Sequence, residues 1–318
     1  ITQLEDLLQN THPKKQDSSK PWFLAPCDLQ AIKASGVTFV SSMLERVIEE
    51  HAFGDWTMAE QIRKQISEFI GDNLADIKPG SDAAMNVKKI LIEQGAWSQY
   101  LEVGIGRDAE IFTKSQPMSA IGTGAEVGIH PGSNWNNPEP EIVLAVNSKG
   151  DAVGATLGND VNLRDFEGRS ALLLGKAKDN NASCALGPLI RLFDSDFNLD
   201  DVRNAKISIN INGQDGFSHE EVISMKKISR DPLDLVHQCI NSNHNYPDGL
   251  MLFLGTMFTP VMDRDIVGKG FTHKLGDIIR IKTSSIGSLI NRVNFSNLCE
   301  PWDFGCAELI RNLKLRGL

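Results

Sequence analysis

The stretch PEPEIVLAVNSKGDAVGATLGNDVNLRDFEG, residues 138–168, holds two short apolar runs, EIVLAV at 141–146 and DAVGATL at 151–157. Their composition and their Pro and Gly punctuation predict strands. Glu139 and Glu141 stand at the entrance of the first strand, and Asp160 follows the second, 19 positions after Glu141. Residues i and i+2 of an extended segment project to the same side, so the two glutamates sit together. Adjacent carboxylates repel unless a cation or a shared proton relieves them. One hairpin's length returns Asp160 beside Glu141. Three carboxylates with no Cys or His nearby make an all-oxygen site suited to Mg²⁺, Mn²⁺ or Ca²⁺ rather than Zn²⁺. Each piece also has a plainer reading: Glu-x-Glu as a solvated acidic loop, and Asn159-Asp160 as a turn bonding its own backbone.

Outward from this stretch the period-two pattern continues. In KISININ, 206–212, Ile207, Ile209 and Ile211 face one way and the polar residues the other. DGLMLFLG (248–255) and GDIIRIKT (276–283) are further strands, the former apolar enough to be buried on both faces. DPLDLVHQCI (231–240) and WDFGCAELIRNLKL (302–315) read as helices. Between about 28 and 100 the pattern is helical instead, through LQAIKA, SSMLERVIEE, MAEQIRKQISEFI with a capping box at Thr57 and Glu60, and NVKKILIEQ ending at Gly95. Residues 1–21 are polar and read as a loosely held arm. The fold class is therefore α+β: a polar arm over 1–21, a mostly helical region over 22–100 and a β-rich domain over 101–318.

Composition excludes several classes. The 318 residues are 41% hydrophobic and 23% charged, which excludes a disordered chain. A net charge of −9 argues against nucleic acid as a partner. The longest apolar run, Gly249 to Phe258, is half of the roughly 20 residues a membrane helix needs, so no membrane partner is expected. Five scattered cysteines without a C-x-x-C pair fit neither a disulfide framework nor a zinc knuckle, and a reducing cytoplasm is the expected location. Gly104-Ile105-Gly106 lacks the third glycine and the βαβ context of a dinucleotide site.

Two further elements bear on chemistry. Lys178, in GKAKDNNASC at 175–184, lies in a polar stretch between apolar runs and, near a metal, could stabilise an enolate or alkoxide. A surface lysine is the plainer reading. Gly255-Thr256 ends the buried strand, where backbone amides and a hydroxyl can hold a carboxylate, or simply turn the chain.

Taken in order, EPEIVLAV, GNDVNLRDFEG, GKAKDNNASC and LFLGT resemble the fumarylacetoacetate hydrolase superfamily over about residues 22–315. The resemblance implies a mixed β-sandwich roll and a homodimer, with Glu139, Glu141 and Asp160 as Mg²⁺ ligands (Mn²⁺ or Ca²⁺ as alternatives). It further implies a catalytic Lys178 and substrate contacts from Thr256, Gly255 and Ser42. One departure matters. Hydrolases and decarboxylases of the superfamily carry a GxNYxxHxxE-like motif whose His and Glu activate water or move protons. The counterpart here is Gly36-Val37-Thr38-Phe39-Val40-Ser41-Ser42-Met43-Leu44-Glu45, with Ser42 where the His would stand. LAPCDLQAIKASGVTF, SRDPLDLV and YPDGLMLFLGT look like the branch that dehydrates 2-keto-3-deoxy sugar acids. The implied activity is a Mg-dependent pentonate dehydratase forming 2,5-dioxopentanoate through a metal-bound enolate, with a 2-oxo acid as its small-molecule partner. Glu45 is the expected proton shuttle, a solvated helical glutamate being the alternative. A hydrolase cleaving a C–C bond in an acylpyruvate is the competing activity, and a histidine brought into the pocket, such as His273, would favour it.

Overall fold

The computed structural model describes residues 3–11, 16–53, 55, 57–59, 77–93, 97–256, 258, 260, 262–265 and 270–318. Its strands are β1 (Ala31–Gly36), β2 (Glu110–Ser115), β3 (Glu126–Ile129), β4 (Asn136–Asn137), β5 (Pro140–Val146), β6 (Ala152–Asp160), β7 (Asn162–Leu163) and β8 (Cys184–Leu192), followed by β9 (Lys206–Asn212), β10 (Ser218–Ser224), β11 (Leu250–Phe253), β12 (Ile278–Thr283) and β13 (Gly287–Phe295). Six of them form a sheet in the order β2-β1-β11-β5-β6-β8, five form a second in the order β10-β9-β12-β13-β3, and β4 pairs with β7. Both large sheets are mixed: β1 runs parallel to β11 and β3 parallel to β13, within otherwise antiparallel ladders. Helices are α1 (Leu4–Asn10), α2 (Val40–His51), α3 (Asp82–Glu93), α4 (Gln99–Ile105), α5 (Arg164–Glu167), α6 (Leu174–Lys178), α7 (Leu199–Asn204), α8 (Pro232–Cys239) and α9 (Cys306–Leu315).

The strand periodicity explains the packing. Ile142, Leu144 and Val146 of β5, Ala155 and Leu157 of β6, Ile207, Ile209 and Ile211 of β9, and Ile279 and Ile281 of β12 meet in one core between the sheets. The alternate residues Val143 and Ala145 join Ile32, Ala34, Met251 and Phe253 in a second cluster on the outer face of the six-stranded sheet. β5 is thus buried on both faces. Helix α2 covers part of that outer face. Its Met43 and Val47 pack with Tyr100, Leu101 and Ile105 of α4, while Ile48 and Ala52 pack on Trp135. Helix α8 starts where Asp231 accepts the Leu233 N–H and Pro232 needs no partner for a missing donor.

Two local expectations change. LQAIKA does not continue a helix: Ala31–Gly36 is β1, because Ile32 and Ala34 alternate into the outer cluster and the strand pairs with both β11 and β2. The N-terminal region therefore contributes a strand to the six-stranded sheet. In the polar arm, Leu4–Asn10 is helical, and the buried Asn10 side chain donates to the carbonyls of Asp17, Lys20 and Pro21. Glu60 of the expected capping box, residues 60–70 of the helix after it and the helix end at Gly95 lie outside the described residues.

Close packing on the outer face makes one position testable. A Cβ on Gly158 would lie 2.2 Å from the Phe253 ring and 2.6 Å from Val143. Gly158→Ala is expected to lower stability by about 1–3 kcal/mol. Chemical denaturation monitors this, and an unchanged midpoint would show that the ring moves freely.

Candidate active site

The hairpin that carries the carboxylates is longer than either of its named strands. Glu141 lies opposite Gly158 and Pro140 opposite Asn159. The Asp160 N–H donates to the Glu139 carbonyl at 3.0 Å. In the same register Asn137 lies opposite Asn162 and Asn136 opposite Leu163. Directly opposed residues share a face. Four successive rungs therefore line the outer face: Glu141/Gly158, Glu139/Asp160, Asn137/Asn162 and Trp135/Arg164, the last with the guanidinium 4.3 Å from the indole. Leu163 and Val161 point the other way, into the core.

Glu139, Glu141 and Asp160 are buried, and one oxygen from each lies within 4.8 Å of the others. Sequence parity and hairpin length both predict this grouping. Lys178, from the last turn of α6, reaches Glu139 at 2.5 Å and Asp160 at 3.1 Å. Lys114 of β2 reaches Asp160 at 2.9 Å, and Arg46 of α2 reaches Glu139 at 2.5 Å. Burial works against the Lys178 charge, but Asp160 and Glu139 outweigh it and hold the ammonium well above the usual lysine range. Burial likewise opposes ionisation of Asp160, and Lys114 and Lys178 overcome it and depress its carboxyl. Among the described residues no cation is ion-paired with Glu141, and the more distant Lys178 only partly offsets its neighbours. Burial, reinforced by Asp160 and Glu139, raises the Glu141 carboxyl well above the carboxylate range, against one N–H donated by Gly255 at 2.6 Å. An oxygen-only donor set with one carboxyl of this kind fits a hard divalent cation such as Mg²⁺.

The remaining expected site residues surround this group. Gly255 has φ +89°, and a Cβ there would meet Thr38 Oγ1 at 2.0 Å, so only glycine places the N–H against Glu141. Thr256 Oγ1 accepts the Phe258 N–H at 3.0 Å. Ser42 is buried in α2, and its hydroxyl donates to the Phe39 carbonyl at 2.9 Å. Glu45 is also buried and pairs with Arg164 at 3.1 Å, beyond the Arg46–Glu49–Arg164 chain that separates it from Glu139. His273 is buried against Phe271 of the core, with Nδ1 3.1 Å from Asp277 and its N–H on Asn136. Asn136 belongs to the core-facing side of the hairpin, so His273 does not join the carboxylates.

Three residues of the site escape a reading of the sequence. Arg46 bridges Glu139, Glu49 and Glu167. Lys114 and Glu110 share one side of β2 with Phe112, whose ring lies 5.7 Å from Lys178 Nζ. The Glu110 carboxyl folds over Gly36, occupying the space where a Cβ would stand. Burial, with the negative charge of Glu167, pushes it up to about 7. The signal is the alternation Glu110-x-Phe112-x-Lys114, which puts both charges on one side of a strand. Its meaning depends on which element packs there.

Two mixed sheets closed over one core, with three clustered carboxylates at the mouth of a hairpin, define a class of acidic-triad roll. The chain belongs to the fumarylacetoacetate (FAA) hydrolase family, whose C-terminal model matches residues 83–294. Among curated relatives it is 31% identical, over 184 residues, to a 2-dehydro-3-deoxy-D-arabinonate dehydratase of Saccharolobus solfataricus, covering 58% of each chain. It is 27% identical, over 194 residues, to a probable 2-keto-3-deoxyxylonate dehydratase of Haloferax volcanii, covering 61% of this chain and 63% of that one. The match thus spans about six tenths of these relatives' length. Among solved structures, a 2-keto-3-deoxy-D-arabinonate dehydratase complexed with magnesium and 2,5-dioxopentanoate superposes with a TM-score of 0.62 at 24% identity, covering 92% of this chain and 81% of that one. A fumarylacetoacetate hydrolase from Exiguobacterium antarcticum gives 0.54 at 16% identity, covering 88% and 80%. These two likenesses are of fold. Among the described residues no helix is long and apolar enough to cross a membrane.

Proposed function

We propose that the chain is a hydro-lyase that dehydrates a 2-keto-3-deoxy sugar acid, a pentonate, to 2,5-dioxopentanoate. The observation that carries this reading is Lys178, ion-paired between Glu139 and Asp160, beside a helix that offers Ser42 in place of a basic side chain. The dehydratases among the relatives support the same choice. A divalent cation on Glu139, Glu141 and Asp160 would bind the carboxylate and keto oxygens of a 2-oxo acid and acidify the C3 protons. Lys178, held as an ammonium, places a fixed positive charge where the C2 oxygen gains negative charge. It also carries a proton that can accompany the departing C4 hydroxyl.

Glu110 suits the base role better than Glu45, which Arg164 already holds. A carboxyl near 7 takes a proton efficiently at neutral pH. It takes one C3 proton; the electron pair left at C3 forms the C3–C4 double bond as the C4 hydroxyl leaves as water. Transfer of a proton from C5 to C3 then gives an enol with its double bond between C4 and C5, and loss of the enol hydroxyl proton with protonation of C4 gives the aldehyde.

Two outcomes test this. Only the ionised Glu110 accepts a proton, so kcat/KM is expected to fall about tenfold per pH unit below about 7 and to level off above it. A flat profile between pH 5 and pH 8 would remove Glu110 from the role. In deuterated buffer with Mg²⁺, 2-oxobutanoate, which has no C4 hydroxyl to lose, is expected to exchange its C3 protons, as followed by NMR. Glu110→Gln is expected to stop the exchange. Absence of exchange by the wild-type protein would overturn the enolate chemistry.

A further inference from the structure

The rung next to Glu139/Asp160 is Asn137/Asn162, and it is unlike its neighbours. On one side of it the carboxylates are paired with Arg46, Lys114 and Lys178. On the other side Arg164 is paired with Glu45 and Glu49 and stacked on Trp135. Between them the Asn137 and Asn162 side chains are 2% and 0% exposed. Among the described residues, Asn162 Oδ1 and Nδ2 and Asn137 Oδ1 have no hydrogen-bond partner. Asn137 Nδ2 alone is used, on the Pro138 carbonyl at 2.9 Å. A buried polar group left unpaired destabilises the fold, whereas apolar residues of the same shape would be close to neutral. Stability of the hairpin therefore does not explain two amides here. Pairing with a ligand's polar group would explain them.

We propose that Asn137 and Asn162 form the subsite for the terminal hydroxyl of the substrate, an inference that rests on the reading of the adjacent carboxylates as a 2-oxo acid site. Successive rungs on one face are about 7 Å apart. The C5 carbon of an extended pentonate lies roughly 4 Å from C2, so its hydroxyl spans toward the next rung when the oxo acid end sits at the carboxylates. An amide offers one donor and one acceptor whichever way it is turned, which matches a hydroxyl. Both guanidiniums flanking the rung already hold carboxylates, so a second substrate carboxylate finds no cation there. The subsite selects a neutral hydroxylated tail over an apolar or an anionic one.

Unreactive oxamates test this, because the amide nitrogen replaces C3. Calorimetry in Mg²⁺ compares N-(2-hydroxyethyl)oxamate, N-ethyloxamate and N-oxalylglycine, which carry a hydroxyl, a methyl and a carboxylate at the tail. The wild-type protein is expected to bind the hydroxyethyl compound at least about tenfold more tightly than the other two. Asn162→Leu and Asn137→Leu are each expected to erase that preference, leave N-ethyloxamate binding unchanged and not lower Tm. Equal wild-type affinity for the hydroxyethyl and ethyl compounds would overturn the subsite alone, as would variants that weaken both ligands equally. Failure of every oxamate to bind would overturn the 2-oxo acid reading, and the subsite with it.

Discussion

Lys178→Met is expected to lower kcat by about a thousandfold or more, ~4 kcal/mol of transition-state stabilisation, while KM changes little. The ammonium is buried, held charged by Asp160 and Glu139, and fixed before substrate arrives. A preorganised charge acts on the oxyanion more than on the ketone, so its loss falls on the chemical step. Methionine preserves the shape of the stem. It also leaves Asp160 with Lys114 alone and Glu139 with Arg46 alone, so the metal-free variant is expected to unfold at a lower temperature and to recover stability when Mg²⁺ is added. Steady-state kinetics and thermal melts with and without Mg²⁺ measure both effects. A variant that keeps more than about a tenth of the wild-type kcat, a loss under roughly 1.4 kcal/mol, would show that Lys178 is not catalytic.

Glu141→Gln is expected to abolish turnover to a similar depth, by a different route. Among the described residues Glu141 accepts one hydrogen bond, from the Gly255 N–H, and it stands against two other buried carboxylates. Glutamine keeps that acceptor and the side-chain volume but removes the charge a cation needs. The wild-type protein is expected to gain several degrees of Tm from Mg²⁺, and the variant to gain none while melting no earlier in EDTA. If the variant retains both the Mg²⁺ shift and activity, the cation is held elsewhere.

Local signals made the carboxylate triad legible. Parity put Glu139 and Glu141 on one side, and a single hairpin was long enough to return Asp160. Lys178 was legible only through the order of four motifs, since nothing local separates it from a surface lysine. β1 was misread because LQAIKA is too short to distinguish the two periods, and its partners β11 and β2 lie far along the chain. Arg46, Lys114 and Glu110 reach the site only through the packing of α2 and β2 beside the hairpin, information no window of sequence contains. The same holds for Glu45 and Ser42. Their spacing on α2 was plain, but whether each would face substrate or another side chain depended on Arg164 and on the Phe39 carbonyl.

The choice between elimination and C–C hydrolysis is the central claim, and one side-by-side assay tests it. The purified protein with Mg²⁺ is given a 2-keto-3-deoxypentonate, with product read by coupling to an aldehyde dehydrogenase, and an acylpyruvate, with pyruvate release read directly. In the family's hydrolases the water-activating histidine comes from the position that Ser42 holds here, and the Ser42 hydroxyl, tied to a backbone carbonyl, cannot take that role near neutral pH. Elimination needs only a C3 proton acceptor and a charge for the oxyanion, the roles proposed for Glu110 and Lys178. Semialdehyde formation much faster than acylpyruvate cleavage is the predicted result, and faster release of pyruvate from the acylpyruvate would contradict it.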